Sequence, residues 1–269
     1  MAKLENFLEL EELPIEPRGP NYYVLEMISL PENLQKISKD FNYKLTDKTK
    51  FEITDKEYYH TLEIKTEDKK LFVKIAWEGF LRETLALELN NMLTGRCIPY
   101  KGYKDIIITD EIKGEWMHIY ILNKIRDTRE YCYEYGILNE FTRILGLKDR
   151  RFPNLIVKKN GEVRNIDFGQ SFMYDSTTTL HQINFNLTPS FKNCFEGFEG
   201  QRKAQEIIKS NIENNFKKLK AMLDCIDEET MKELNKGYIQ DQIEIINPKE
   251  IILTYCKRNK WDDLVKELQ

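Results

Sequence analysis

Cysteine is sparse and dispersed in this sequence. The 269 residues hold five (Cys97, Cys132, Cys194, Cys225 and Cys256), with no Cys-x-x-Cys pair and no Cys/His cluster. That pattern argues against a disulfide framework and a structural zinc site. The expectation is a cytoplasmic protein with reduced, mostly buried thiols. Long apolar runs are also missing. No window approaches the roughly 18 uncharged apolar residues of a membrane-spanning helix, so none is expected. Residues 1–12 carry four glutamates and no apolar core, which excludes a standard signal peptide from the expectation. Neither sign of charge dominates: 41 Lys and Arg stand against 45 Asp and Glu, a net charge of -4. There is thus no electrostatic case for a nucleic-acid partner. Internal repeats and low-complexity stretches are absent as well.

What is present suffices for a sizeable core. Hydrophobic residues make up 41% and aromatics 12%, with 14 Tyr and 14 Phe. The length allows one large domain or two lobes sharing a cleft. Residues 1–48 read as an acidic, proline-containing N-terminal extension with a short helix at 31–41. Three strands follow at 50–54 (KFEIT), 61–65 (TLEIK) and 70–77 (KLFVKIAW). The first two alternate polar with apolar, the third is a nearly continuous apolar run interrupted by Lys74, and the short connections predict an antiparallel meander. Leu81, Leu85, Leu89 and Met92 recur at helical spacing and predict a helix over 78–93, ended by Gly95. A further strand is expected at 106–112, and two helical pieces within 118–146. Residues 154–158 and 163–167 flank Asn160-Gly161, a strong hairpin-turn signal. From 201 onward the pattern is mostly helical, with 201–223 the longest candidate. Strands concentrate in the first half and helices in the second. The fold class is therefore α+β, in two lobes that meet near 111–116.

The stretch richest in chemistry is 145–172, LGLKDRRFPNLIVKKNGEVRNIDFGQSF. Asp149 lies in a loop after a helix, Asn154 opens one strand of the hairpin, and Asp167 closes the other. Asn154 and Asp167 can therefore reach the same mouth. Two hard oxygen ligands there suit Mg2+, which keeps a few carboxylate or amide oxygens together with phosphate and water. Asp149 close by could orient or accept a proton from an attacking hydroxyl. Gly169 lets the backbone turn sharply just after Asp167.

These residues resemble the catalytic core of the protein-kinase-like superfamily. They are closest to the HipA-like and phosphatidylinositol 3-/4-kinase-like branches, in which a Gly-Asp-Arg-His-x-x-Asn loop precedes Ile-Asp-Phe-Gly. The corresponding residues here are Lys148-Asp149-Arg150-Arg151-Phe152-Pro153-Asn154 and Ile166-Asp167-Phe168-Gly169, with Asp149 and Asp167 eighteen residues apart. The resemblance covers about residues 50–180. It implies a two-lobed kinase-like fold, with an antiparallel sheet N-lobe over 49–114 and a mainly helical C-lobe over 115–269. It also implies a lysine in the third strand that contacts the ATP phosphates and pairs with a glutamate on the next helix. Lys74 stands there between Val73 and Ile75. Glu83 is the preferred partner and Glu88 the alternative. The run TDEIKGEW resembles the inter-lobe hinge, so the backbone of Glu111, Ile112 and Lys113 would meet the adenine edge. Asn154 and Asp167 would bind Mg2+, and Asp149 would orient the acceptor.

Three features depart from the pattern. No glycine-rich loop joins the first two strands, Arg151 replaces the usual histidine, and no Ala-Pro-Glu follows Asp-Phe-Gly. The function implied is ATP- and Mg2+-dependent transfer of the γ-phosphoryl group to a hydroxyl, with protein Ser or Thr ranked first and autophosphorylation included. The alternatives are a lipid or small-molecule kinase, a nucleotide-binding pseudokinase or scaffold, and a nucleotidyltransferase. The partners implied are ATP and a protein or small hydroxyl acceptor.

Overall fold

The computed structural model of the chain describes residues 24, 27–42, 44, 49–56, 59–66, 69–76, 79–103, 106–117, 119–120, 132–148, 154–173, 195–236 and 245–269, with only the backbone at 50–56, 59–62 and 195. The fold is mixed α+β: two small antiparallel sheets and a mainly helical remainder. The chain divides into two compact units. One comprises Lys3–Phe80 with Ile98–Glu111, the other Leu81–Cys97 with Ile112–Gln269.

The first unit is a sheet backed by a helix. Strands β1 (Lys50–Lys56), β2 (Tyr59–Lys65) and β3 (Lys70–Ile75) form the expected meander, and β5 (Ile106–Asp110) and β4 (Tyr100–Tyr103) extend it in the order β1-β2-β3-β5-β4. Alternation decides which face is packed. Leu71 and Val73 of β3 join Ile64, Ile106 and Ile108 in a buried core with Met27, Ile28, Ile37 and Phe41. Ile37 and Phe41 come from and just after helix α1 (Pro31–Asp40), whose Pro31 occupies the first turn, where no donor is lost. Lys69 Nζ donates to the Phe41 carbonyl at 2.8 Å, tying the end of α1 to the β2–β3 turn. Phe72 and Lys74 therefore fall on the opposite face of the sheet.

The second unit begins with helix α2 (Phe80–Thr94), which ends at Gly95 in the left-handed conformation, φ +67°. Its small sheet is β6 (Glu115–Trp116), β7 (Leu155–Val157) and β8 (Val163–Asn165), in that order. The β7–β8 turn uses Gly161 at φ +84°, as Asn160-Gly161 implies. Helix α3 (Cys132–Ile144) stops where Leu147 N–H bonds the Thr142 carbonyl at 3.1 Å, with Gly146 at φ +57°. That is the backbone-satisfying end that glycine permits. Helices α4 (Phe195–Asn214), α5 (Phe216–Asp224), α6 (Glu228–Leu234), α7 (Pro248–Arg258) and α8 (Asp262–Leu268) complete the unit. Side chains cap two of them: Asp227 accepts from Thr230 N–H and Asn247 from Lys249 N–H, both at 2.8 Å.

The structure departs from the sequence expectations at several points. The helix expected over 201–223 starts at Phe195 and breaks at Asn215. Strands β4 and β6 lie outside the expected elements. Cys132 is disulfide-bonded, with its partner outside the described residues, so the expectation of uniformly reduced thiols does not hold there. Among the described residues, no helix is long and apolar enough to cross a membrane.

The helices share one buried polar centre. Glu140 of α3 is fully buried. It accepts hydrogen bonds from Arg143 (2.9 Å), the Tyr255 hydroxyl (2.8 Å) and Gln205 (3.3 Å), with Arg258 at 3.9 Å. A buried carboxylate is tolerated only when so satisfied. Burial, with the Glu140 carboxylate beside it, holds the Tyr255 phenol well above its ordinary value, so the hydroxyl remains a donor. Glu140→Gln keeps the shape but removes the charge that Arg143 answers. We expect it to lower the stability of the chain by about 2 kcal/mol in urea denaturation. An unchanged midpoint would refute that role.

Candidate active site

The β7–β8 hairpin is short and buried where it matters: Leu155, Val157 and Val163 are each about 1–2% exposed. Its last paired residues are Leu155 and Asn165. Just beyond them Ile166 N–H donates to the Asn154 carbonyl at 3.1 Å. Asn154 and Asp167 thus emerge from the same end of the hairpin. Asp167 Oδ1 accepts from Gly169 N–H at 3.0 Å, a side-chain turn that fixes the half-buried carboxylate against its own backbone. Phe168 is fully buried behind it. Asn154 is 5% exposed, yet its Nδ2 has no hydrogen-bond partner. Buried amides are nearly always satisfied, so Asn154 leaves one donor unanswered, as Asn139 does.

Asp149 lies outside the described residues, as do residues 150–153. The two described residues that border this stretch are both fixed to the turn carrying Asp167. Lys148 N–H donates to the Gln170 carbonyl at 2.9 Å, and Asn154 accepts from Ile166. Two further bonds, Phe172 N–H to Leu145 O at 3.0 Å and Met173 N–H to Gly146 O at 2.9 Å, hold the end of α3 against the chain after Gly169. Phe172 is buried with φ +63°. A non-glycine residue in that region costs about 1–2 kcal/mol. Such strain concentrates at functional turns, and here the surrounding bonds hold it in place.

Arg96 clamps the hairpin from the far end of α2. Its guanidinium donates to the Val163 carbonyl and to Glu134 Oε2 at 2.7 Å, lies 3.6 Å from Glu162 Oε1, and stacks 5.0 Å from the Phe141 ring. Arg164 adds a bond to the Cys97 carbonyl at 2.9 Å and a 2.5 Å contact with Glu162. Burial alone would raise the Glu162 pKa. The hydrogen bond and charge of Arg164, with Arg96 and Lys158, overcome that and hold the carboxyl below its ordinary range.

The remaining expected residues are described within their own units. Lys74 sits in β3 opposite Thr61 of β2 and Ile107 of β5, half-buried, on the face away from the α1-packed core. Its neighbour along that face, Lys70, bonds Glu63 at 2.8 Å and lies 4.7 Å from the Phe72 ring centroid. In the other unit, Glu83 is 4% exposed in the first turn of α2 and Glu88 is 7% exposed. Glu88 pairs with Lys218 at 3.0 Å. In the expected hinge, Glu111 N–H donates to the Lys70 carbonyl at 3.0 Å. Ile112 is half-buried and Lys113 exposed.

Among the described residues, no group of three or more His, Cys, Asp or Glu side chains is placed to hold a metal ion. One carboxylate and one amide at the hairpin end still fit Mg2+, which takes few protein oxygens and completes its shell with phosphate and water. Coordination by Asn154 would come from its Oδ1, because an amide N–H group donates and cannot ligate a cation. No family model matches the chain, and no curated protein is significantly similar to it in sequence. Sequence reasoning passed over Arg82 and Arg96. Arg82 follows Leu81 in α2 and Arg96 follows the glycine that ends it; both guanidinium groups are largely buried and have to find acceptors.

Proposed function

We propose that the chain is an ATP- and Mg2+-dependent phosphotransferase of two-lobed kinase-like fold, with protein Ser or Thr as the first-ranked acceptor. One observation carries the reading: a single hairpin end presents the Asp167 carboxylate, locked by Gly169, together with the buried Asn154. In this reading Asn154 and Asp167 hold Mg2+, which when bound neutralises charge on the phosphate oxygens. Lys74 contacts the α and β phosphates and Glu83 orients Lys74. Asp149 accepts the proton of the acceptor hydroxyl as its oxygen bonds to the γ phosphorus and the bond to the β-phosphate oxygen breaks. Positioning and electrostatics supply most of the acceleration. A lysine amid the apolar run of β3, on the face away from the packed core, supports the role given to Lys74.

The test is incubation of the full chain with Mg2+ and γ-labelled ATP, alone, with generic protein acceptors, and with phosphoinositide vesicles. We expect label on the chain or on the protein acceptors. Label on lipid would move the acceptor class, and AMP left on protein in mass spectrometry would replace phosphoryl with nucleotidyl transfer. Nucleotide binding by thermal shift without ATP consumption would overturn the enzymatic reading in favour of a scaffold.

A further inference from the structure

Arg82 stands beside Glu83 in the first turn of α2 and is only 4% exposed, far below what is usual for arginine. Its Nε donates to the Gly169 carbonyl at 2.7 Å. Its Nη1 donates to the Leu234 carbonyl at 2.7 Å and the Lys236 carbonyl at 3.2 Å. The three acceptors belong to two segments: the turn carrying Asp167 and the C-terminal end of α6. These segments are joined a second way. Ile246 N–H donates to the Phe172 carbonyl at 2.8 Å, and Ile245 N–H to Asn235 Oδ1 at 2.8 Å. Residues 234–236 and 245–246 are therefore tied to the same turn and to each other.

Glycine is the most conformationally permissive residue, so the peptide groups on either side of Gly169 need outside restraint to keep one orientation. Both have it. Gly169 N–H is bonded to Asp167 Oδ1, and Gly169 C=O to Arg82 Nε. We infer that Arg82 is a positioning residue: it holds Gly169, and through it the Asp167 carboxylate, in the orientation that binds metal, with the α6 end as its backing. The inference rests on the phosphotransferase reading. Its chemistry needs a guanidinium specifically. A planar fork with five N–H groups can serve carbonyls in different directions at once, whereas a lysine ammonium concentrates its donors at one point. Capping α6 alone would account for Nη1 but not for the Nε bond to Gly169.

The test uses the full chain as wild type and as Arg82→Lys. ATP turnover is measured against Mg2+ concentration, and hydrogen–deuterium exchange is followed across the chain. We expect Arg82→Lys to remain folded and to lose about tenfold or more in turnover. The Mg2+ concentration for half-maximal rate should rise by about tenfold, as for other residues that orient metal ligands. KM for ATP at saturating Mg2+ should stay within about twofold, because this arginine acts on the metal turn rather than on the nucleotide. Exchange should quicken at 168–173 and not in α4. If Arg82→Lys matches a turning-over wild type at every Mg2+ concentration, the inference is overturned and the phosphotransferase reading survives. If exchange rises throughout the second unit and the variant melts early, Arg82 is structural and the inference is again overturned. A wild-type chain that never consumes ATP sinks the phosphotransferase reading, and this inference with it.

Discussion

Asp167→Ala is expected to abolish Mg2+-dependent ATP turnover, by about a thousandfold or more, while the chain stays folded. The size of the loss follows from the reading. Removing one preorganised electrostatic group from a charge-stabilising site costs about a hundredfold to a thousandfold, and removing a metal ligand also displaces the ion that does the neutralising. The cost to stability is far smaller. Asp167 is half-buried, and the substitution removes its hydrogen bond from Gly169 N–H, worth about 1 kcal/mol. The turn keeps its other restraints: Arg82 on Gly169, Lys148 on Gln170, and Phe172 on Leu145. Asp167→Asn makes a sharper control, because the amide oxygen can still accept from Gly169 while the negative charge is gone. It should lose about a hundredfold. The measurements are release of label from γ-labelled ATP and a thermal melt of each variant. Turnover at the wild-type rate in Asp167→Ala, with a normal melt, would end the assignment of Asp167 to the metal.

The parts of this fold that could be read from the sequence are those in which local chemistry and final structure agree. Alternation in 61–65 and the nearly continuous apolar run of 70–77 specified paired strands, and Leu71 and Val73 of β3 are in fact packed. Asn160-Gly161 specified a turn, and the hairpin it closes brings Asn154 and Asp167 to one end. Leu85 and Leu89 marked a buried helix face ended by Gly95. What was hidden depends on distant partners. β4 reads Tyr-Lys-Gly-Tyr, and its glycine suppresses strand character that pairing with β5 restores. β6 is two residues long and exists only because β7 accepts it. Arg82 carries no local signal of its role. Its meaning lies in carbonyls at 169, 234 and 236, which no local window contains. The beginning of α4 was missed because Gly197 and Gly200 argue against helix by propensity, and tertiary contact overrode them.

That override leads to the largest expected loss of stability. Helices α3 and α4 meet through glycines on both sides of their crossing. A Cβ added at Gly136 would lie 2.0 Å from the Gly197 carbonyl oxygen and 3.0 Å from Gln201 N. One at Gly200 would lie 2.0 Å from the Tyr133 carbonyl oxygen. The obstructing atoms are backbone, so no rotamer change relieves the clash and the helices themselves have to move apart. Helix propensity alone favours alanine over glycine by about 1 kcal/mol. Overpacking typically costs about 1–3 kcal/mol, and more where backbone is displaced. The clash wins, because separating the helices also pulls Gln205 of α4 away from Glu140 of α3. Gly136→Ala should therefore destabilise the chain by a net of about 3 kcal/mol, a fall in Tm of about 10 °C for a chain of this size. Gly200→Ala should behave alike, and the double variant should cost less than the sum, since the first separation makes room for the second methyl. Calorimetry of the three variants decides the matter. A Tm at or above that of the wild type in Gly136→Ala would mean that the helices do not approach through glycine, and that the end of α3 leading to Lys148 is placed by some other contact.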